Sequence, residues 1–201
     1  MSLQFFKVFL VLLVVFSSGC AFVDQKVDLT YEKQGISDSG EGKLYLEKPK
    51  KLKNLETNEE GYYIVGTVEN TYGMRTADCI TKHDISDWVA GALISELKHA
   101  GYEVVPVEEL AENINKGIAI KILKVWVDQD PGFWTVGAES NVHYIVDVFK
   151  YGKKVASLDI KGIGDERSGV GSAKTKGISL RKALTSSIEK AVPQIIDILE
   201  G

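Results

Sequence analysis

The most regular pattern of apolar and polar positions lies in the middle of the chain and predicts an amphipathic helix. Between Asp84 and Gly101, apolar side chains recur at helical spacing and form one stripe, with Glu96 at its edge. Asp84 can cap the start of a helix, and a glycine such as Gly101 suits the left-handed position just past its end. We therefore predict a helix between these two residues.

Alternating and continuous apolar runs predict a set of strands. The first clear one, at residues 62–68, is rich in aromatic and β-branched side chains and is followed by the turn residues Asn70 and Gly73. Earlier in the chain, Val27 and Leu29 alternate with polar residues and predict a short strand. The remaining predicted strands lie at residues 44–46, 102–105, 117–127, 141–150 and 155–160. The last two form a hairpin through Tyr151-Gly152-Lys153.

The end of the chain predicts a second long helix, at residues 179–199, which Pro193 is expected to kink or divide. Before it, residues 162–177 contain five glycines and the pair Lys174-Thr175. Ala173 stands where a phosphate-binding loop has glycine. We expect a flexible connecting loop here, and the alternative is an anion site at the start of the helix.

The order of these elements predicts the fold class. Strands, a helix, further strands and a second helix succeed one another, and the later strands are joined by hairpin-length loops. This order indicates an α+β fold with an antiparallel or mixed sheet and two long helices packed on one face.

The first nineteen residues have the order of a signal peptide. Lys7 supplies a positive charge, residues 8–16 are an unbroken apolar run, and small residues occupy positions 17–19. The run is nine residues long, far short of the roughly 20 that a helix needs to cross a bilayer. We expect a cleaved leader and no retained transmembrane anchor.

The residues Ser17-Ser18-Gly19-Cys20 resemble the lipobox of bacterial lipoproteins, although the usual lipobox has Leu in place of Ser17. In such proteins the cysteine is acylated and becomes the first mature residue. The resemblance therefore implies a diacylglyceryl group on Cys20. Ala21 stands where an aspartate would favour the inner membrane, so the resemblance implies an outer-membrane anchor facing the periplasm. The alternative is ordinary secretion, which leaves Cys20 as a free thiol.

These observations divide the chain into three parts. Residues 1–19 are the lipoprotein signal peptide, 20–60 the lipidated N-terminus, tether and first strands, and 61–201 the main α+β domain. Only Lys7 among the charged residues is lost with the leader, which leaves 23 basic and 28 acidic side chains and a net charge of −5. Nucleic-acid binding favours the opposite balance, so no nucleic-acid partner is expected.

Two cysteines are present, Cys20 and Cys79, and acylation of the first leaves the second without a partner in its own chain. Cys79 is therefore expected to be a small buried hydrophobic residue. A disulfide between two chains is the alternative.

A second resemblance covers roughly residues 61–200 and concerns the order of elements. The features that carry it are the helix from Asp84 that ends in Ala100-Gly101-Tyr102, the strand at 118–127, the hairpin around Tyr151-Gly152-Lys153, the glycine-rich loop and the closing helix. Together they resemble the YajG-like family of bacterial envelope lipoproteins. The resemblance implies a fold and an envelope location, and it implies no substrate.

Candidate catalytic groups are sparse. His83, His99 and His143 lie far apart and at no spacing typical of a metal site, and no Gly-x-Ser-x-Gly motif occurs. We expect no catalytic residues, no metal and no cofactor. Phe133 and Trp134, which come directly after Pro131-Gly132, are a possible contact for a protein or glycan partner, and the alternative is packing over the sheet edge.

Two hypotheses for function remain. The first is a lipid-anchored envelope lipoprotein that acts as a binding or structural module, held at the membrane by its N-terminal lipid and bound to an envelope protein or glycan. The second is a small-ligand carrier or hydrolase of the periplasm, which needs a concave site with convergent polar groups.

Overall fold

The computed structural model describes residues 23–36, 39–49, 56–70, 72–131, 135–169 and 171–201. These residues form a mixed α/β fold, with one mixed sheet of eight strands and two long helices. The strands are β1 (Gln25–Lys26), β2 (Lys43–Glu47), β3 (Tyr63–Glu69), β4 (Arg75–Thr81), β5 (Glu103–Val107), β6 (Lys116–Pro131), β7 (Val136–Lys150) and β8 (Lys153–Ser168), and the helices are α1 (Ile85–His99) and α2 (Ala173–Glu200).

The sheet is organised around three long antiparallel strands in the order β6-β7-β8. The other edge of β6 pairs in parallel with β2 near its start and with β3 near its end. β5 continues the sheet beyond β2, while β4 and then β1 continue it beyond β3. Two small branches therefore join opposite ends of β6, whose 16 residues span about 50 Å at the usual rise of a strand.

The predicted helix after Asp84 is confirmed in position and capping. The Asp84 carboxylate accepts hydrogen bonds from the backbone N–H groups of Ser86 at 2.8 Å and Asp87 at 3.3 Å. Gly101 lies just past the helix with a φ of +114°, a conformation that glycine adopts without steric cost.

The second helix is longer than predicted and is not divided by Pro193. It begins at Ala173 rather than near residue 179, because Ser172 caps it and Thr175 and Lys176 of its first turn are buried against the sheet. Burial thus outweighs the weak helix propensity of this stretch.

The flexible loop predicted at residues 162–177 is wrong, because β8 continues to Ser168 and α2 begins at Ala173. A Cβ atom at Gly162 would lie 2.0 Å from the carbonyl oxygen of Ala183, and one at Gly164 would lie 2.2 Å from that of Ser179. These glycines let the backbone of α2 approach β8 closely, which is a common reason for glycine within a strand.

Other strand limits also differ from the sequence prediction. β6 continues to Pro131, beyond the predicted end at residue 127, β7 begins at Val136, and β4 was not predicted. β5 continues to Val107, beyond the predicted end at residue 105. The strand expected around Val27 and Leu29 is limited to Gln25–Lys26, although both side chains are buried.

The core lies where the helices pack against the sheet. Along β7, alternate side chains from Val142 to Val148 are buried, and α2 contributes Leu180, Leu184 and Ile188. Fully burying a side chain of this size stabilises the fold by roughly 1.5–3 kcal/mol. The helices contact each other as well as the sheet.

Candidate functional site

The chain joins the folded domain almost at once after the predicted lipidation site. Val23 is the first described residue and stands three positions after Cys20. β1 comes next and pairs in parallel with β4, and Val27 and Leu29 are then buried in the core. The polypeptide from residue 23 is therefore part of the domain.

Glu96 of α1 holds this N-terminal segment through a buried carboxylate that is 0% exposed. Its Oε1 accepts hydrogen bonds from the Tyr31 hydroxyl at 2.8 Å and the Gln34 backbone N–H at 2.7 Å. Its Oε2 accepts from the backbone N–H groups of Gly35 and Ile36, both at 3.0 Å. Hydrogen bonds to an ionised acceptor are about twice as strong as those between neutral groups.

The hydrogen bonds at Glu96 also determine its ionisation. Burial works to raise the pKa of the Glu96 carboxyl, but the bonds from Gln34, Tyr31, Ile36 and Gly35 outweigh it, so this pKa lies below its ordinary value. Burial, together with the contact to Glu96, raises the pKa of the Tyr31 hydroxyl. The contact is therefore between a carboxylate and a neutral phenol.

A second carboxylate, that of Glu200, helps to hold the chain before β2. Glu200, near the end of α2, accepts a hydrogen bond from the Tyr102 hydroxyl and from the Lys116 ammonium at 2.7 and 2.8 Å. Lys116 also donates to the carbonyl oxygen of Glu41 at 3.1 Å. The end of α2, the start of β6 and the chain before β2 are thereby connected.

The three long strands leave one face largely uncovered. Successive side chains of a strand point to opposite faces, so the residues between the buried ones of β6, β7 and β8 line the second face. Ile163 there is 59% exposed, and Leu123 and Val155, which lie at register shifts of β6 and β8, are 37% and 49% exposed. Trp126, Ile145 and Phe149 are partly exposed. We call the surface formed by these six side chains the open face: Leu123, Trp126, Ile145, Phe149, Val155 and Ile163.

Hydrogen-bonded polar pairs lie among these hydrophobic side chains. His143 Nε2 is 2.6 Å from Asp159 Oδ1, and Lys154 Nζ is 2.6 Å from Asp147 Oδ1. Burial works to raise the pKa of the Asp147 carboxyl, but the hydrogen bonds from Lys154 and Ser157 lower it below its usual value. The open face thus combines hydrophobic side chains with polar pairs and with exposed charged residues such as Lys121, Glu139 and Lys161.

A concave site lies at the end of the sheet where β6 begins. It is an open cleft of about 820 Å³ between the chain before β2 and the connection from β5 to β6. Its polar lining includes Glu41, Lys43 and Glu109, and Tyr45 supplies an aromatic wall. The turn between β7 and β8 lies at this end too, since the Gly152 N–H donates to the Ile114 carbonyl at 2.8 Å.

The site residues predicted from the sequence fall mostly beyond the structure. Cys20, Phe133 and Trp134 lie outside the described residues. His83 and His143 each contact an aspartate, Asp28 and Asp159 respectively. Among the described residues no group of three or more His, Cys, Asp or Glu side chains is arranged to hold a metal ion.

In the part of the chain that the structure describes, no helix is both long and apolar enough to span a membrane.

Cys79 is buried in the core with 0% exposure, which agrees with the small hydrophobic residue expected there. Burial raises the pKa of its thiol, and the nearby Lys176 partly offsets this. Lys176 is itself 1% exposed and donates to the Thr67 carbonyl oxygen at 3.1 Å. A disulfide between chains would require this part of the core to open.

The sequence predicted the position of Glu96 at the edge of the apolar stripe but not its hydrogen-bond partners. Its position at the edge of the apolar stripe of α1 was visible, and an acidic residue there needs a partner when the helix packs. The partners are about 60 positions away in the chain. Nothing in the local pattern identifies them.

The fold of this chain is similar to that of proteins whose structures have been solved. The chain is similar to protein XCC0632 from Xanthomonas campestris, family DUF330, with a TM-score of 0.61 and 10% identity over 88% of this chain and 96% of that one. It is less similar to hypothetical protein CT253 from Chlamydia trachomatis, with a TM-score of 0.39 and 10% identity over 80% and 98% of the two chains. Neither a protein-family model nor a curated protein matches the sequence. The first similarity shows a shared fold.

Proposed function

We propose that the chain is a lipid-anchored lipoprotein of the bacterial outer membrane, similar to the YajG-like family, and that its domain binds another envelope component in the periplasm. Acylated Cys20 holds it at the membrane, and the open face is its binding surface. The observation that carries the binding role is the open face, where six hydrophobic side chains, three of them exposed, lie among polar and charged ones on the three longest strands.

The anchor is supported by the order of the first twenty residues and by the short distance along the chain from Cys20 to the sheet. The cleaved leader ends just before Cys20, and the chain enters the sheet at Gln25. Glu96 and Glu200 then hold the N-terminal segment on the domain through hydrogen bonds. A lipid on Cys20 therefore acts on the folded body itself, with only a few residues between the two.

The open face supports a binding role because of its composition. An antiparallel sheet with one solvated face normally carries polar side chains there. Here six hydrophobic side chains, two of them aromatic, lie among polar and charged ones. Apolar patches bordered by polar groups are typical of protein–protein contacts. We also propose that both helices cover the opposite face, which leaves this one available.

The partner is proposed to be an envelope protein or a glycan. Trp126 and Phe149 offer flat surfaces to either, and Trp126 also donates from Nε1 to Asp128 at 2.7 Å. The acidic net charge argues against nucleic acid. Phe133 and Trp134 remain a predicted partner contact from the sequence.

Introducing charge on the open face is expected to remove the partner. In the double variant Leu123→Glu/Ile163→Glu, two carboxylates would have to be buried on binding. Recovery of the partner should fall at least about tenfold, because burying an uncompensated charge costs several kcal/mol. The measurement is quantitative mass spectrometry of proteins and glycans that co-purify with the full-length lipoprotein from mildly detergent-solubilised envelopes.

The matched control is Tyr151→Glu, which places a carboxylate at a 75% exposed position in the turn between β7 and β8. It should recover the partner as the unaltered protein does. Equal recovery by the double variant would count against the open face. If the unaltered protein recovers no partner, the binding role itself fails.

The cleft supports a second candidate function, a small-ligand carrier. Its volume of about 820 Å³ falls within the range of about 300–1,000 Å³ that is typical of ligand sites. Glu41, Lys43 and Glu109 supply charged groups around it. Native mass spectrometry of protein purified from envelopes distinguishes the two, since a metabolite retained in proportion to the protein supports the carrier.

A further inference from the structure

The turn between β3 and β4 presents exposed hydrophobic side chains. We call it the hairpin tip and define it by Asn70 and residues 72–74. Tyr72 is 85% exposed and Met74 is 58% exposed, and Val23, at the first described position, is 64% exposed. These are three of the seven large hydrophobic residues that are exposed in the described part of the chain. Three others lie on the open face.

The hairpin tip lies at the end of the domain from which the N-terminus emerges. β1 runs parallel to β4 with Gln25 opposite Cys79, so residues before Gln25 lie toward the tip. The Asp78 backbone N–H donates to Asp24 Oδ1 at 2.9 Å, which continues this alignment by one position. Val23 is therefore placed beside the first half of β4, on the side of the tip.

Chain length limits how far Cys20 can lie from Val23. Two residues separate them, so the three steps along the chain can span at most about 11 Å. By the register of β1 and β4, Ala77 lies level with Val23. Met74 is three residues before Ala77, so it lies about 10 Å farther along the strand direction. The headgroup layer of one leaflet is only about 5–8 Å thick. A lipid on Cys20 therefore keeps the tip within reach of the membrane surface.

The backbone of the hairpin tip is already hydrogen-bonded within the tip. Asn70 Oδ1 accepts from the N–H groups of Tyr72 at 2.9 Å and Met74 at 3.1 Å. The Gly73 N–H donates to the Asn70 carbonyl, and the Asn70 N–H donates to the Met74 carbonyl, both at 3.0 Å. Unpaired backbone groups are the main obstacle to placing a turn in a bilayer. The described residues of this turn have their N–H groups paired.

The charges near the tip favour insertion by apolar contact over electrostatic attraction. Arg75, the basic residue next to the tip, pairs with Asp78 at 2.5 Å. Two acidic residues are also near: Asp24 directly precedes β1, and Glu69 ends β3. Binding to anionic lipid by charge needs a cluster of unpaired basic residues. Tyrosine and methionine suit the boundary between headgroups and acyl chains.

We propose that the hairpin tip inserts Tyr72 and Met74 into the interfacial layer of the same bilayer that holds acylated Cys20. This proposal rests on the proposed lipid anchor. The domain then contacts the membrane at two points, and stable attachment commonly uses two signals. The start of β6, with the cleft and the turn between β7 and β8, faces away from the membrane, about 50 Å distant along the strands.

The test places an environment-sensitive fluorophore at each end of the full-length lipoprotein. Tyr72→Cys is labelled with NBD, and Tyr151→Cys, an exposed tyrosine in the turn at the other end, is the matched control. Cys79 is 0% exposed and stays unlabelled in the native protein. Each variant is reconstituted into phosphatidylethanolamine and phosphatidylglycerol vesicles that contain phosphatidylcholine with a doxyl quencher near the headgroup.

Fluorescence at position 72 should be quenched at least about threefold more than at position 151, as expected for a group held about 5–10 Å inside the headgroup boundary. The intact mass of each sample reports the acyl groups independently. Equal quenching at the two positions in an acylated protein overturns the insertion of the tip and leaves the lipid anchor standing. A mass without acyl groups overturns both proposals.

Interfacial contact is tested a second way by Tyr72→Ser/Met74→Ser combined with NBD at position 23 through Val23→Cys. Loss of the two side chains should reduce quenching at position 23, because the domain then leans away from the bilayer. Unchanged quenching would show that the lipid alone sets the distance and would overturn the proposal. Circular dichroism of the double variant confirms that the sheet is retained.

Discussion

Gly162→Val is expected to lower the free energy of unfolding by about 4 kcal/mol or more, the exceptional range for a single substitution. Even the first added carbon would lie 2.0 Å from the Ala183 carbonyl oxygen and 2.7 Å from the Ser187 backbone nitrogen. Both atoms belong to the backbone of α2, which cannot move aside without leaving the sheet. Overpacking of this kind displaces a whole element rather than a side chain.

Urea denaturation of purified protein, monitored by circular dichroism, measures the change. The control is Gly91→Ala, at an exposed glycine of α1 where an added Cβ meets no atom within 4 Å. That substitution should raise the free energy of unfolding by about 0.5–1 kcal/mol, because alanine favours a helix over glycine. If Gly162→Val costs less than about 1 kcal/mol, α2 does not pack on β8 as described.

Glu96→Gln is expected to lower the free energy of unfolding by about 3 kcal/mol at neutral pH. The amide keeps the shape of the side chain but accepts fewer of the four hydrogen bonds and directs its own N–H groups at donors. Hydrogen bonds to a charged group contribute about 1.5–3 kcal/mol, and an unsatisfied buried donor costs about 1–3 kcal/mol. Residues 31–36 should also become more accessible to proteases, since Glu96 holds them on α1.

The pH dependence of this contribution is set by the lowered pKa of Glu96. Because the folded state holds the carboxylate more acidic than the unfolded chain does, the contribution is fully present above the ordinary pKa of a glutamate. It is lost as the pH falls through the lower folded-state pKa. The unaltered protein should therefore lose stability on acidification more steeply than Glu96→Gln does.

Glu189→Gln serves as the control, since Glu189 is an exposed acidic residue of α2. Its effect on the free energy of unfolding should stay within about 0.5 kcal/mol. Chemical denaturation between neutral and acidic pH compares the three proteins. Similar stabilities and similar pH profiles for Glu96→Gln and Glu189→Gln would contradict the role given to the buried carboxylate.

Local signals in the sequence were sufficient for the central helix. These signals are Asp84, the apolar stripe and Gly101. Each lies in the helix or directly beside it, so α1 could be predicted together with its cap. The mixed sheet and the two long helices could also be predicted from the order of elements. Residues with strong local preferences therefore determine much of the class of fold.

Elements that depend on distant partners could not be predicted in the same way. β4 contains Arg75 and Asp78 and lacks a clear alternation, yet it is a strand because β3 pairs on one side and β1 on the other. Gly162 and Gly164 suggested a loop when considered alone. Their role is visible only when α2 lies across them.

The residues of the candidate site differ in the same way: some are indicated by local sequence, and others depend on distant parts of the chain. Cys20 is proposed as the lipidation site from its immediate neighbours, because signal peptides and lipoboxes are local patterns. The role of Glu96 depends on a segment about 60 residues away, and the alternation in β7 marks two faces without saying which one α2 covers. Val146 and Ile145 differ in burial for that reason alone.

The intact mass of the protein purified from envelopes tests the lipid anchor most directly. We predict a mature chain that begins at Cys20 and carries the mass of attached acyl groups. A chain that begins at another residue, or that begins at Cys20 without added fatty mass, would contradict the anchor.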